Sequence, residues 1–428
     1  MGGVGDDVEL EAEARFQGGR KRTAALPETQ VNMRDHSSTL RAVACLTRQY
    51  APFFFLLPFI VGTIDRLLHP NHWFRDFEAV SCGGQALNAH QPLYVWVSSC
   101  PDSEPTTYVY TPLGAEIFAF VQRDIGVTAE IALYGGIFWF FVQVVFRDLV
   151  RQDRDTSLRA PFLAGVPGNA LWSGNFSIAI HGMFYVCRRL LAKHPALAAP
   201  LITATIIFKP TFVVYLALFL FLRHSLIKRI ALIAGCGTTV VLYFIGFYLW
   251  NHAGFVSWQA LMHYYGLVND RGNGFLALPD IVLWKAVPDI GSAYAVFAVL
   301  ILGAGLVTLA YSTHTDEERI LLGISVCLLL YPRLMGYDMF TLPFGLTVIA
   351  SSFERIGPVS PVHLRRSITT VCVFCMILSL VGSRIGEKAM FIFSCLLLVF
   401  VAASVVYAEA KVREGKSIPH LLLSSLRR

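Results

Sequence analysis
The sequence predicts an all-α integral membrane protein, with about 10 to 13 transmembrane or re-entrant helices and two larger loops on one face of the bilayer. Three observations predict it. Of 428 residues, 55% are hydrophobic and only 15% charged, and the mean hydropathy of +0.56 describes more apolar surface than one water-soluble core can hide. Apolar stretches approaching the roughly 20 residues that a bilayer core requires recur from Ala51 almost to the C-terminus. Runs such as 230–250 and 391–406 are apolar on every face. That excludes the period-two alternation of an outer-membrane barrel and suits helices, whose backbone groups are satisfied within the segment.

In chain order, residues 1–50 read as a cytoplasmic tail, the first 32 being polar, mixed in charge and without the apolar stretch of a signal peptide, which predicts disorder. Met33, just ahead of the first membrane stretch, leaves a second start open. Residues 51–410 form the polytopic domain and 411–428 a cytoplasmic C-terminal tail. Spans are expected at 52–67, 127–146, 161–171, 176–190, 196–208, 212–222, 230–250, 293–311, 320–330, 340–352, 368–381 and 389–407. The pairs meeting around Gly168 to Asn175 and around Lys209-Pro210 are shorter than a full crossing and read as hairpins or broken helices of the kind that line a cavity.

The basic residues set the orientation. Arg147, Arg151, Arg154 and Arg159 share one connection; Arg188, Arg189 and Lys193 a second; Arg223, Lys228 and Arg229 a third; Arg355, Arg365 and Arg366 a fourth. This order of spans puts all of them on one side, which the positive-inside tendency makes cytoplasmic along with both termini. The connections 69–125 and 251–289 are then the outer, functional loops, periplasmic if the membrane is a bacterial inner membrane. The net charge of +6 is dispersed among the connections instead of gathered on a face, so membrane lipids are expected partners and nucleic acid is not.

The first outer loop holds Arg75-Asp76-Phe77-Glu78, Ala86-Leu87, Pro92-Leu93-Tyr94 and Tyr108-Val109-Tyr110-Thr111-Pro112-Leu113. In this order the residues resemble glycosyltransferase family 87, a polyprenyl-phosphate-sugar-dependent group whose members carry Asp-Phe, Ala-Leu, Pro-Tyr and Tyr-x-Pro-Leu shortly after their first transmembrane helix. His90-Gln91 stands where a Gly often precedes Pro-Tyr, and Leu93 separates Pro92 from Tyr94. Gly168-Asn169 and Gly174-Asn175 resemble the family's Gly-Gln/Asn turn, and Lys209-Pro210 its Lys-Pro. Tyr331-Pro332 and Tyr337-Asp338 stand where the family has Ser-Pro and an aromatic or His pair, without the Ser or the His. The resemblance covers residues 76–338. It implies the C-type glycosyltransferase architecture and transfer of mannose or a pentose such as arabinose from a polyprenyl-phosphate donor to a hydroxyl of a glycolipid or glycan acceptor. It also implies inversion at the anomeric carbon and a general-base role for Asp76.

The chemistry asks for the same groups. A hydroxyl attacking a sugar needs a carboxylate to take its proton. Asp76 follows a membrane segment closely enough to sit at the lipid–water boundary; its bland alternative is a solvated loop carboxylate. Glu78, two residues on, would point elsewhere on a helix, toward sugar or metal. The resemblance implies that Tyr94, Tyr110, Tyr337 and Asp338 stand around the substrate. A departing phosphate needs cations aimed at it, and Lys209 at a helix break, Arg333 and, more weakly, Arg271 qualify. Lys209 has a second reading, snorkelling to the headgroups. Asn169 and Asn175 flank Trp172 in a Gly-containing turn, where their amides serve either sugar hydroxyls or the turn itself.

Cys82 and Cys100 share the outer loop, where an oxidising compartment would let them pair. The Cys372-x-x-Cys375 spacing lies inside an apolar helix and reads as small buried filler, not zinc or redox chemistry. No metal site or cofactor is required, although a Mg²⁺ or Mn²⁺ at Asp76 and Glu78 suits the preference of hard cations for carboxylates. No phosphate-binding Gly-Lys-Ser loop or dinucleotide fingerprint is present, which leaves nucleotide chemistry without support. A transporter or lipid-linked-sugar flippase is the alternative, and it would place ionisable groups at midplane and show two related halves. A surface-polysaccharide polymerase or ligase would show paired basic residues in its outer loops, where they are sparse.

Overall fold
The structure is a computed structural model that describes residues 50–69, 73–95, 107–153, 155–265, 271–278, 290–356 and 360–413, all within the unit Thr47–Arg428. In chain order the main helices are α1 (Leu57–Leu68), α2 (Arg75–Asn88), α3 (Pro112–Asp124), α4 (Val127–Val150), α5 (Phe176–Lys193), α6 (Ala198–Phe208) and α7 (Leu226–Trp250). They continue with α8 (His252–His263), α9 (Ile290–Tyr311), α10 (Asp316–Leu329), α11 (Leu342–Ile356), α12 (Pro361–Val381) and α13 (Ser383–Arg413). Every element among the described residues is helical, and five of them, α4, α7, α9, α12 and α13, are long and apolar enough to cross a membrane. The all-α membrane class therefore stands. Both expected tails, save residues 50 and 411–413, lie outside the described residues, as does Arg154.

Two of the expected spans take another form. Residues 161–171 run through a helical turn Thr156–Arg159, a 3-10 helix Ala160–Gly165 and a turn Gly168–Leu171, because Pro167 lacks a donor and holds Val166 in an extended conformation. Residues 212–222 fall in a 3-10 helix, Pro210–Phe221. At about 2.0 Å per residue, its 12 residues reach about 24 Å, where an α-helix would cover about 18 Å. Phe212, Tyr215, Leu218, Phe219 and Phe221 along it are all buried in the bundle core.

The expected loop 69–125 is mostly two helices. α2 and α3 pack so closely that a Cβ on Gly84 would lie 2.8 Å from the Phe118 Cβ, and the Gln122 amide donates to the Ser81 carbonyl at 2.9 Å. Cys82, on α2, is disulfide-bonded; Cys100, its expected partner, lies outside the described residues.

The four basic connections gather at one end of the bundle, as their shared side requires. Arg188 pairs with Asp148 at 3.5 Å, Arg189 with Glu317 at 3.2 Å, Arg223 with Asp316 at 3.3 Å and Arg355 with Glu318 at 2.9 Å, while Arg365 donates to Ser157 at 3.2 Å. Exposed pairs such as Arg189–Glu317 and Arg223–Asp316 contribute little to stability, on the order of 0–1 kcal/mol each, so their value here is to mark one end.

At the other end, α1 meets the turn 168–171 without room for a side chain, since a Cβ on Gly168 would sit 1.9 Å from the Phe59 carbonyl oxygen. Gly168→Ala is expected to cost roughly 1–3 kcal/mol or more, as overpacking does. Gly135→Ala on α4, where a Cβ meets open space, should be neutral or slightly stabilising. Thermal unfolding of the two variants in detergent checks this contrast.

Candidate active site
The polar site begins at the N-terminus of α2. Phe74 takes a left-handed conformation (φ 53°), its N–H donates to the Trp172 carbonyl at 3.1 Å, and the Asp76 N–H donates to the Ser173 carbonyl at 2.9 Å. Aromatic faces lock this seam: Phe77 stacks on Tyr134 with centroids 4.5 Å apart, and Trp73 on Trp172 at 5.3 Å. Gly174 completes the turn at φ 69°, where a Cβ would strike the Phe74 ring at 2.6 Å. The Asp76 carboxylate sits in the first helical turn, where the helix dipole favours negative charge.

Asn175 joins this carboxylate to a cation. As N-cap of α5, its Oδ1 accepts the Ser177 N–H at 3.0 Å; its Nδ2 donates to Asp76 Oδ2 at 3.0 Å, and Lys209 Nζ donates to Oδ1 at 3.2 Å and to Ser177 Oγ at 2.6 Å. The turn reading of Asn175 thus holds, and the same amide also bridges Asp76 and Lys209. Lys209 does not snorkel. Pro210 forces it into extended backbone (φ −138°, ψ 100°) between α6 and the 3-10 helix, and its ammonium points inward, 5.7 Å from the ring centres of Tyr110 and Tyr337. The carbonyls freed by the break are taken up by Thr111, whose Oγ1 donates to the Ile207 carbonyl at 2.6 Å, which also seats Tyr110 beside Lys209.

Asp338 anchors the far wall. It is buried, accepts from the Met335 N–H at 2.9 Å and pairs with His181 Nε2 at 2.9 Å, while His181 Nδ1 meets the Tyr215 hydroxyl at 2.7 Å. Asp338, Asp76 and Arg333 all lie within electrostatic range of Lys209.

These elements enclose a cleft of about 230 Å³, lined by Asp76, Asn169, Ser173 and Tyr337 together with Arg66, Asn273, Arg384 and Glu387. Arg66 donates through Nε to the Asn169 carbonyl at 2.8 Å, and the Asn273 amide donates to the Glu387 carboxylate. Ser173 Oγ and Asn273 Oδ1 are buried at this cleft without a hydrogen-bond partner among the described residues. Buried polar atoms are normally satisfied, so such a pair is suited to the hydroxyls of a bound molecule.

Of the residues singled out in the sequence, Asp76, Asn169 and Tyr337 line the cleft; Asn175 and Lys209 stand behind Asp76 in a hydrogen-bonded row, with Tyr110 beside Lys209, and Asp338 and Arg333 lie within electrostatic range of Lys209. Glu78 and Arg271 are not on the cleft wall. Tyr94 packs on Tyr108 and Phe247 and donates to the Tyr110 carbonyl at 3.1 Å, so it supports the site from behind instead of facing it. Among the described residues no three His, Cys, Asp or Glu side chains are placed to hold a metal ion, and Asp76 and Glu78 form no such group. Sequence reasoning missed Arg66, Asn273, Arg384, Glu387 and His181. The signal for Arg384 and Glu387 was their charge in the turn between two late spans, at the end shared with Asp76; for His181 it was an ionisable residue inside an apolar helix.

The fold and site together define an all-α membrane protein with a charged cleft among the turns at one end of its bundle. Comparison with known proteins finds no matching family model, no matching curated protein and no matching solved structure.

Asn175 gives the sharpest structural test of this site. Asn175→Ser should keep the α5 cap and hold stability within about 0.5 kcal/mol, whereas Asn175→Ala should lose about 1 kcal/mol. Both remove the bridge from Asp76 to Lys209, so both should lower activity equally; thermal unfolding and activity measured side by side separate the two roles.

Proposed function
We propose that this chain is a membrane glycosyltransferase that moves a sugar, mannose or a pentose, from a polyprenyl-phosphate donor to a hydroxyl of a glycolipid or glycan. The observation that carries the reading is a carboxylate, Asp76, held by an amide in a cleft that also carries two guanidinium groups and two buried, partnerless polar atoms. In the step, the acceptor oxygen bonds to the anomeric carbon as the bond from that carbon to the phosphate oxygen breaks. The electron pair leaves with the polyprenyl phosphate, and the hydroxyl proton passes to Asp76. Asn175 holds Oδ2, which leaves Oδ1 for that proton. Arg66 and Arg384 on the cleft wall meet the departing phosphate, and Lys209 and Arg333 add to the positive field behind it. A single displacement of this kind inverts the anomeric carbon. The positive-inside tendency turns the arginine-rich end to the cytoplasm and the cleft to the outer, periplasmic face of a bacterial inner membrane.

The resemblance of residues 76–338 to glycosyltransferase family 87, with its C-type architecture, points to the same reaction. One observation favours a transporter instead: His181 and Asp338, both buried between helices, are the kind of ionisable pair that couples ion movement. The rest of the charge at this site lies in end turns, which suits chemistry on a lipid headgroup better than passage through the bundle.

The test is purified protein in lipid nanodiscs with radiolabelled polyprenyl-phosphate sugars and, separately, nucleotide sugars. Transfer is expected from one of the former and none of the latter. Asp76→Asn should keep donor binding and lose transfer by about 10²- to 10⁴-fold, the usual contribution of a general base. Undiminished transfer would remove Asp76 from the role, and movement of substrate without bond cleavage would establish the transporter.

A further inference from the structure
A second cavity, of about 200 Å³, lies beside the cleft, between α1 and the facing ends of α12 and α13. Asn169, Ser383 and Glu387 line both, so the two spaces share a wall. Their charges differ. The cleft carries Arg66 and Arg384 along with Asp76 and Glu387, whereas the second cavity carries the carboxylates of Asp65, which pairs with His69 at 3.3 Å, and Glu387, with Ser379 and Ser383, and no Lys or Arg lines it. Its wall offers a phosphate no guanidinium or ammonium, while hydroxyl groups, which donate hydrogen bonds to carboxylates, would be held. The opposite wall is apolar, and its residues Val61 and Leu380 are 46% and 42% exposed on the outside of the bundle. The space therefore has an exposed apolar edge and ends at carboxylates.

We propose that this cavity is the acceptor site, and that the acceptor is a membrane-held amphiphile with an uncharged polyol head, admitted between α1 and α12. This rests on the transferase reading and deepens it. Glu387 and the serines bind the head's hydroxyls, the apolar chain lies against Val61 and Leu380, and one hydroxyl reaches past Glu387 to Asp76. The donor phosphate stays on the arginine side of the same wall.

The experiment uses the full chain in nanodiscs and a photoreactive probe, decyl β-glucoside with a diazirine in its alkyl chain, with labelled peptides identified by mass. Label is expected on α1 and α12, displaced by unlabelled decyl glucoside and not by farnesyl phosphate. Val61→Trp and, independently, Leu380→Trp fill the cavity and should weaken labelling about tenfold, a change of about 1.4 kcal/mol. Val241→Trp, on the lipid-facing side of α7 and 55% exposed, should leave it unchanged. Glu387→Gln keeps the shape and should weaken labelling by severalfold, the usual scale of a hydrogen bond to a charged group. Labelling indifferent to both tryptophans would overturn the proposal, and so would displacement by farnesyl phosphate as effective as by the glucoside, which would assign the cavity to the donor. Labelling reads occupancy without turnover, so a protein that consumes none of the donors loses the transferase reading on that assay, separately from the polyol cavity.

Discussion

The site depends on the orientation of one amide. Asn175 caps α5 with its Oδ1, so the oxygen must face the helix N-terminus and the NH₂ must face away from it, toward Asp76. A flipped amide would set its oxygen against the carboxylate and its NH₂ against both the Ser177 N–H and the Lys209 ammonium. The cap therefore fixes the polarity of the whole row: ammonium, amide oxygen, amide NH₂, carboxylate. Two opposite charges are kept apart yet coupled through a dipole that neither of them can reverse. The amide between them fixes the direction in which the carboxylate is held.

The neighbouring elements serve to hold that amide still. α2 is bound to the turn through backbone groups at Phe74 and Asp76, and the aromatic seam of Phe77, Tyr134 and Phe176 packs beside it. Lys209 reaches Asn175 because Pro210 breaks the helix there, and the break is tolerated because Thr111 satisfies the carbonyls it frees. Tyr94 in turn braces Tyr110. Interruptions of regular structure at membrane depth survive where other protein groups replace the lost hydrogen bonds.

Much of this was legible in the sequence. Hydropathy gave the class, and the alternation of basic connections placed residues 76, 169, 175, 209 and 333–338 at a common end, where the structure holds them. What hydropathy cannot show is backbone period. The runs 161–171 and 212–222 are as apolar as true spans, yet the first is broken into short turns at Pro167 and the second winds as a 3-10 helix behind Pro210. Helix phase accounts for Glu78: two residues past Asp76 on α2, it is carried to another face, as its spacing implied. Arg66, Arg384 and Glu387 were missed for a different reason. Their neighbours across the cleft come from distant parts of the chain, and nothing local distinguishes them from charges that end a span.

The same helix phase separates the charges that line the two cavities. Asp65 and Arg66 are consecutive on α1, and about 100° of rotation separates them. One helix thereby turns a carboxylate to the second cavity and a guanidinium to the cleft. On α13, Ser383 and Glu387 share a face at i and i+4 and border both spaces, whereas Arg384, one step round, borders the cleft alone. Both lipids would arrive within the membrane plane, where their apolar chains are indistinguishable to the protein, so discrimination has to occur at headgroup height. On the transferase reading, a single helical step on each of two helices would supply it, with an anionic head drawn to one side of Glu387 and an uncharged polyol to the other.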